Sequence, residues 1–187
     1  MLIVNNHLVV AFTSKADQTK TMWVVARGTQ TVVDVVTDLL WLASTTTIGG
    51  LSLPSEPLIR AEKSLKVLQE FLNRTETKQI CFCGHSLGGA IAGAIFYLYN
   101  IQAVNPLKTK LITVNSPQLL KAVPDFLVNG DNKIEMANIT KNIHNIVQRV
   151  DFIPRSVAPN LIPSYIFEIP GIGKKLQELE KFFDEQG

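Results

Sequence analysis

The sequence predicts an α/β domain, a mainly parallel sheet with helices on both faces. Two observations lead to this prediction. Short runs of β-branched and other apolar residues alternate along the chain with longer segments of helical periodicity. The run at 80–83 is fully apolar, as strands in the middle of parallel sheets are. Because strands separated by helices usually pair in parallel, we expect one sheet and a single domain over 1–187.

The first part of the chain predicts a β-hairpin. Two runs rich in β-branched and other apolar residues, at 7–12 and 21–26, are expected to be strands. The polar residues 15–18 between them form the turn, and Gly28 ends the second strand. The two strands are therefore expected to pair with each other.

Two helices separated by a loop are expected next. A capping-box pattern opens a helix over 31–42, and residues 43–54, mostly small and polar, predict a loop. Ser55 and Pro57 open a longer helix that runs to about residue 73. Its apolar residues recur with the three-four spacing of one buried face. That face comprises Leu58, Ala61, Leu65, Leu68 and Leu72.

The second half of the chain continues the alternation. The strand at 80–83 is followed by a helix over 88–99 that begins with small residues, which let its backbone lie close to the sheet. Further strands are expected at 110–114 and 143–150, and an amphipathic helix at 172–185. We find no internal repeat or low-complexity tract in the sequence.

Composition excludes several classes of protein. With 46% hydrophobic and 18% charged residues, the chain has the balance of a soluble globular protein rather than a disordered one. A net charge of +2, from 18 basic and 16 acidic residues, gives no reason to expect a nucleic-acid partner. The longest apolar run, 90–99, is well short of the ~20 residues of a membrane-spanning helix. Residues 1–7 lack the features of a signal peptide.

The two cysteines, Cys81 and Cys83, lie two residues apart on a predicted strand, so both side chains point to one face. We expect them to act as small buried hydrophobic residues rather than as a disulfide or a metal site. No metal or organic cofactor is expected elsewhere.

The segment Gly84-His85-Ser86-Leu87-Gly88 has the G-x-S-x-G pattern of a nucleophile elbow. An apolar strand precedes it and a small-residue helix follows it, which is the context that such a turn requires. Glycines on both sides of the serine let strand, turn and helix approach closely. The helix N-terminus after the serine favours a developing oxyanion, and the backbone N–H of Leu87 is a natural donor to it. The alternative is a glycine-rich turn with an idle serine.

Four stretches of the sequence, taken together, are typical of one family. They are Trp-Val-Val-Ala-Arg-Gly-Thr-Gln at 23–30, the helix over 31–39, Gly-His-Ser-Leu-Gly-Gly-Ala at 84–90, and Val-Asp-Phe-Ile-Pro-Arg at 150–155. In this order they resemble the class 3 lipases, the fungal-type triacylglycerol lipase family, over nearly the whole chain. The resemblance implies the α/β-hydrolase fold.

The resemblance also implies roles for individual residues. Thr29 is implied as the second oxyanion donor, the alternative being a plain loop residue. Asp151 matches the family's D-x-[VI]-P segment, which carries the acid of the catalytic triad. Asp151 also follows a predicted strand, which brings it to the sheet edge of Ser86. Asp125 and Asp131 are weaker candidates, because neither directly ends a convincing strand.

The helix predicted at 31–42 is apolar nearly all round. In the family this position holds a lid that covers the pocket in water and opens at a lipid surface. A permanently packed helix is an equal alternative, since an all-round apolar helix is normally part of the core.

The catalytic base is the main departure from the family pattern. In α/β-hydrolases the order is serine, acid, histidine, yet His7, His85 and His144 all precede Asp151. His144 lies seven residues before Asp151 on one predicted strand, roughly 23 Å away at ~3.3 Å per residue. We therefore expect a lipase domain that is incomplete at both ends, with a pseudo-enzyme as the alternative.

Two hypotheses of function follow. The first is a lipase-type carboxylic ester hydrolase that acts through an acyl-enzyme on lipid or small ester substrates, with contact to lipid surfaces, and that is weak or inactive alone. The second is a non-catalytic module of the same fold that binds lipid or protein. The two differ in whether a base reaches Ser86.

Overall fold

A computed structural model describes residues 2–5, 9–13, 20–28, 45–72, 76–103, 106–116, 125–129, 132–148 and 164–167. Within these residues the central feature is a seven-stranded sheet in the order β1-β2-β3-β6-β7-β10-β11. Its strands are β1 (Leu2–Asn5), β2 (Val9–Thr13), β3 (Thr21–Ala26), β6 (Gln79–His85), β7 (Lys108–Val114), β10 (Ile143–Gln148) and β11 (Ser164–Phe167).

The pairing of the strands makes the sheet mainly parallel, as predicted. β3, β6, β7, β10 and β11 pair in parallel, each with the next in this order. β1, β2 and β3 pair antiparallel, so the hairpin expected at 7–12 and 21–26 is confirmed, with β2 at Val9–Thr13. The carboxyl ends of the parallel strands consequently meet at one edge of the sheet.

Two long helices lie on the same side of the sheet. They are α1 (Ser55–Leu72) and α2 (Leu87–Gln102), followed later by the short α3 (Met136–Thr140). α2 packs on β3, β6 and β7, and α1 packs on α2. None of the described helices is long and apolar enough to cross a membrane.

The core lies between the sheet and these helices. The apolar face predicted for α1 is confirmed: Leu58, Ala61, Leu65 and Leu68 are buried, and Leu72 is half-buried. Phe82 of β6 packs edge-on against Phe96 of α2, with ring centroids 6.0 Å apart. The sheet contributes Met22, Val24, Ile80 and Leu111 to the same core.

The prediction of a loop at 43–54 is wrong. Thr45–Ile48 (β4) and Leu51–Pro54 (β5) form an antiparallel hairpin, in which Ile48 pairs with Leu51 across Gly49 and Gly50. Both glycines have positive φ, 56° and 86°, which is the geometry of a tight two-residue hairpin turn. The glycine pair directly after the β-branched run Thr45–Ile48 was the signal for this hairpin, and the small and polar composition of the segment favoured a loop instead.

Other elements were not predicted at all. They are β1, β11, α3, and the small hairpin of β8 (Phe126–Asn129) and β9 (Asn132–Glu135). The helices predicted at 31–42 and 172–185 lie outside the described residues, and so does the end of the strand predicted to reach residue 150.

Candidate active site

Ser86 forms a one-residue turn between β6 and α2. β6 ends at His85, and α2 begins at Leu87. The backbone of Ser86 has φ 53° and ψ −131°, a conformation that L-residues rarely adopt. Such a conformation costs about 1–3 kcal/mol and persists only where the surroundings impose it. The strand–turn–helix context that the sequence predicted for this serine is therefore observed.

Hydrogen bonds on both sides hold the turn. The N–H of Ser86 donates to the carbonyl oxygen of Val114 at 3.0 Å, which ties the turn to the end of β7. The carbonyl oxygen of Ser86 accepts from the N–H of Gly89 at 2.9 Å and that of Ala90 at 3.4 Å. The side chain of Ser86 makes no capping hydrogen bond to the helix. The half-buried hydroxyl is therefore not used to stabilise α2.

Two glycines allow the close approach of backbone around this turn. A Cβ on Gly84 would lie 2.2 Å from the carbonyl oxygen of Gly88, at the start of α2. A Cβ on Gly88 would lie 2.5 Å from the carbonyl oxygen of Ala26, at the end of β3. These are contacts with backbone atoms, which cannot swing aside as a flexible side chain can. The G-x-S-x-G pattern thus has a steric basis in strand β3 as well as in the turn.

Of the two backbone donors expected for an oxyanion, the N–H of Leu87 lies at this turn. Leu87 is the first residue of α2, so its N–H has no intrahelical acceptor. Thr29 is outside the described residues, but Gly28 before it lies directly against the turn. A Cβ on Gly28 would lie 2.7 Å from the carbonyl oxygen of His85 and 3.4 Å from the backbone nitrogen of Gly88. The chain that leads to Thr29 therefore passes beside Ser86.

The candidate acid Asp151 also lies outside the described residues. The strand that leads to it, β10, runs parallel to β7, and Ile146 pairs with Val114, which in turn pairs with His85. β10 therefore ends at the same sheet edge as Ser86. Asp125 is exposed and precedes β8, where its carbonyl oxygen accepts from the N–H of Met136 at 2.8 Å.

Neither of the two described histidines is placed as a base for Ser86. His85 is exposed and adjoins Ser86 in the chain, where successive side chains diverge. His144 pairs with Ile112, which pairs with Cys83, so it is two strands away from β6. It is also three residues behind Ser86 along the strand direction, about 10 Å. His7 lies outside the described residues.

Cys81 and Cys83 lie side by side on one face of β6, as their spacing predicted. Their Sγ atoms are 3.7 Å apart and both thiols are free. Hydrogen bonding from Cys83 lowers the pKa of the Cys81 thiol, and the same bond raises the pKa of Cys83. Within the described ranges, no cluster of three or more His, Cys, Asp or Glu side chains could hold a metal ion.

Asn115 and Ser116, at the end of β7, belong to the surroundings of Ser86 and were missed by sequence reasoning. Asn115 has φ 46°, and Ser116 is buried. The available signal was an asparagine directly after an apolar strand, because asparagine is the residue other than glycine that most readily enters the left-handed region.

Residues 23–161 match a family model described as lipase (class 3). A comparison with curated proteins gave no match.

Among solved structures, similar ones are fungal lipases and related enzymes. A Rhizomucor miehei lipase propeptide complex superposes with a TM-score of 0.63 at 16% identity, over 90% of this chain and 55% of that one. Lipase II from Rhizopus niveus superposes with a TM-score of 0.61 at 20% identity, over 90% of this chain and 65% of that one. A triacylglycerol lipase whose catalytic centre is formed by a serine protease triad superposes with a TM-score of 0.59 at 17% identity, over 90% of this chain and 66% of that one.

The chain thus spans 55% to 66% of the length of these three structures. At these identities the likeness concerns the fold. It confirms the predicted α/β-hydrolase fold, with a mainly parallel central sheet and helices.

Proposed function

Since the chain belongs to the class 3 lipase family, with 139 of its 187 residues in the match, we propose that it carries the serine centre of a lipase-type carboxylic ester hydrolase. Its substrates would be triacylglycerol or related lipid esters. The apolar segment 31–42 would contact the lipid surface. The matched residues include Thr29, Ser86 and Asp151.

The observation that carries this proposal is the backbone of Ser86. A left-handed serine between a central parallel strand and a buried helix is costly, and its hydroxyl does no structural work as a helix cap. Strain of this kind clusters at reactive sites because it exposes a side chain that a regular strand or helix would not. A serine that served only to close a turn would gain nothing from this conformation.

The proposed reaction uses the positions around the turn. The Ser86 Oγ attacks the ester carbonyl carbon, and the carbonyl oxygen becomes an oxyanion in the tetrahedral intermediate. The N–H groups of Leu87 and Thr29 donate to that oxyanion, helped by the N-terminal dipole of α2. Collapse of the intermediate breaks the ester C–O bond, releases the alcohol and leaves an acyl-enzyme, which water hydrolyses.

The proton on Ser86 needs a base, and Asp151 would orient it as the acid of a triad. No histidine of the sequence follows Asp151, and the described histidines lie out of reach. We therefore expect this chain alone to hydrolyse p-nitrophenyl esters slowly or not at all. The second candidate function, a non-catalytic module of the same fold that binds lipid or protein, needs no such base.

Chemical rescue distinguishes the two functions. Imidazole added to an oriented but base-deficient serine can accept its proton, so p-nitrophenyl butyrate hydrolysis by the wild-type chain should rise with imidazole concentration. The Ser86→Ala variant measured in parallel gives the background of free imidazole. Acylation of Ser86, seen by mass spectrometry only in the wild type, would support the enzyme. Equal rates for wild type and Ser86→Ala at every imidazole concentration would favour the binding module.

A further inference from the structure

The chain turns sharply at Asn115, next to Ser86. β6 and β7 are neighbouring parallel strands, and each is followed at its carboxyl end by a residue in the left-handed region, Ser86 with φ 53° and Asn115 with φ 46°. The two turns share a hydrogen bond, since the N–H of Ser86 donates to the carbonyl oxygen of Val114 at 3.0 Å. The Val114 carbonyl and the Asn115 N–H belong to one peptide group, so a change in φ at Asn115 strains the group that accepts the hydrogen bond of Ser86.

The turn at Asn115 also connects to β10. The N–H of Asn115 donates to the carbonyl oxygen of Ile146 at 2.8 Å. β10 is the strand that leads towards Asp151. One left-handed residue therefore lies between the ends of the nucleophile strand and the strand of the candidate acid.

Ser116 fills the remaining side of the turn. It is 8% exposed, and a Cβ placed on Gly89 would lie 2.4 Å from the Ser116 Cβ and 2.5 Å from its Oγ. The first turn of α2 therefore rests directly on this small side chain. If Asn115 left the left-handed region, Ser116 would be carried away from Gly89, and the peptide group that holds the Ser86 N–H would be strained.

We infer that Asn115 and Ser116 are positioning residues that hold Ser86 in its strained conformation, an inference that rests on the proposed function of Ser86. They act through the Val114 carbonyl and through Gly89, and neither is assigned contact with substrate. Asparagine tolerates the left-handed region, glycine adopts it freely, and a β-branched residue is excluded from it. Asn115→Gly should thus keep Ser86 in its strained conformation, and Asn115→Val should not.

The chain offers a matched control at the opposite edge of the sheet. Lys20 has φ 54° just before β3, and its carbonyl oxygen accepts from the N–H of Lys78 at 3.1 Å. Lys20→Val imposes the same backbone conflict as Asn115→Val, but far from Ser86. A loss of Ser86 reactivity that reflects only general destabilisation of the domain would appear in both variants.

The test measures the rate at which a fluorophosphonate labels Ser86 in the full chain, with imidazole present as the base that the chain lacks, by intact mass, well below the melting temperature of every variant. We expect Asn115→Val to slow labelling about 10²-fold, the effect of a small misplacement of a reactive group. Asn115→Gly and Lys20→Val should label at the wild-type rate, although Lys20→Val, like Asn115→Val, lowers the melting temperature. Amide hydrogen exchange should show lost protection of the Ser86 N–H in Asn115→Val alone.

Each result decides the inference. Equal labelling of wild type and Asn115→Val, or equal slowing by Lys20→Val, overturns it while the proposed function stands. Failure of the wild type to be labelled at Ser86 overturns both. If Asn115→Val does not fold, the same comparison is made with Ser116→Val, which enlarges the side chain against Gly89, and with Ser116→Ala as its conservative partner.

Discussion

The two long helices of the domain lie against each other, yet they are built differently. α1 has one buried face, and its other positions, such as Ile59 with 46% exposure, meet solvent. α2 is buried at every residue from Leu87 to Ile101. The reason is position, because α2 packs on three strands of the sheet and is also covered by α1.

The difference extends to buried polar groups. Asn100 of α2 donates from Nδ2 to the carbonyl oxygen of Phe96 at 2.8 Å and exchanges hydrogen bonds with Thr109 of β7 at 3.2 Å. Ser64 of α1 is 1% exposed, and its hydroxyl finds no partner within the described part of the chain. The helix that follows the candidate nucleophile is thus the more buried of the two, and its buried polar side chain Asn100 has hydrogen-bond partners where Ser64 of α1 has none in the described part of the chain. A strained turn can persist at Ser86 because the helix behind it is buried along its length and packed on the sheet and on α1.

The largest effect is expected where α2 begins. Gly84→Val places a side chain 2.2 Å from the Gly88 carbonyl oxygen and 2.5 Å from the Gly89 nitrogen, both backbone atoms of α2. Since neither the central strand nor the buried helix can retreat, we expect a loss of more than about 4 kcal/mol in unfolding free energy, or failure to fold. Urea unfolding followed by circular dichroism measures it. Glu70→Ala, on the exposed face of α1, is the control, and a similar stability for both variants would contradict the tight packing described at this junction.

A smaller loss is expected within α2. Phe96 is fully buried and makes edge-on ring contacts with Phe82 at 6.0 Å and Tyr97 at 5.4 Å. Phe96→Ala should lower the unfolding free energy by about 3–5 kcal/mol, through lost burial and the cavity left behind. Ile59→Ala on α1 should change it by less than about 0.5 kcal/mol. Comparable losses at the two positions would mean that the helices are equally buried in solution.

The same contrast shows how much the sequence could predict. The buried face of α1 could be predicted from the spacing of its apolar residues alone, because in an amphipathic helix that spacing shows which side is buried. The strand, turn and helix around Ser86 followed from a short motif with local steric requirements. Local rules were sufficient in both cases.

Features that depend on residues far apart in the sequence could not be predicted. Nothing near Asn100 indicates that Thr109 will form its hydrogen bonds, and nothing near Asn115 shows that its N–H will donate to Ile146, 31 residues later. The glycine pair Gly49-Gly50 is the opposite case, since a local signal for the hairpin was present and composition outweighed it. Thr29 and Asp151, taken from family resemblance, stay predictions.

The smallest effect expected is a gain. Removing a buried hydroxyl that lacks a partner avoids its desolvation cost, and alanine is also the better helix former. Ser64→Ala in α1 should therefore raise the unfolding free energy by about 1 kcal/mol. Ser55 is the matched control on the same helix, because its Oγ lies 2.9 Å from the Thr46 Oγ1 in an exposed hydrogen bond. Ser55→Ala removes that bond and should give no gain. A loss of stability in Ser64→Ala, measured by urea unfolding, would show that the hydroxyl has a partner in solution and that the two helices are alike in satisfying their buried polar groups.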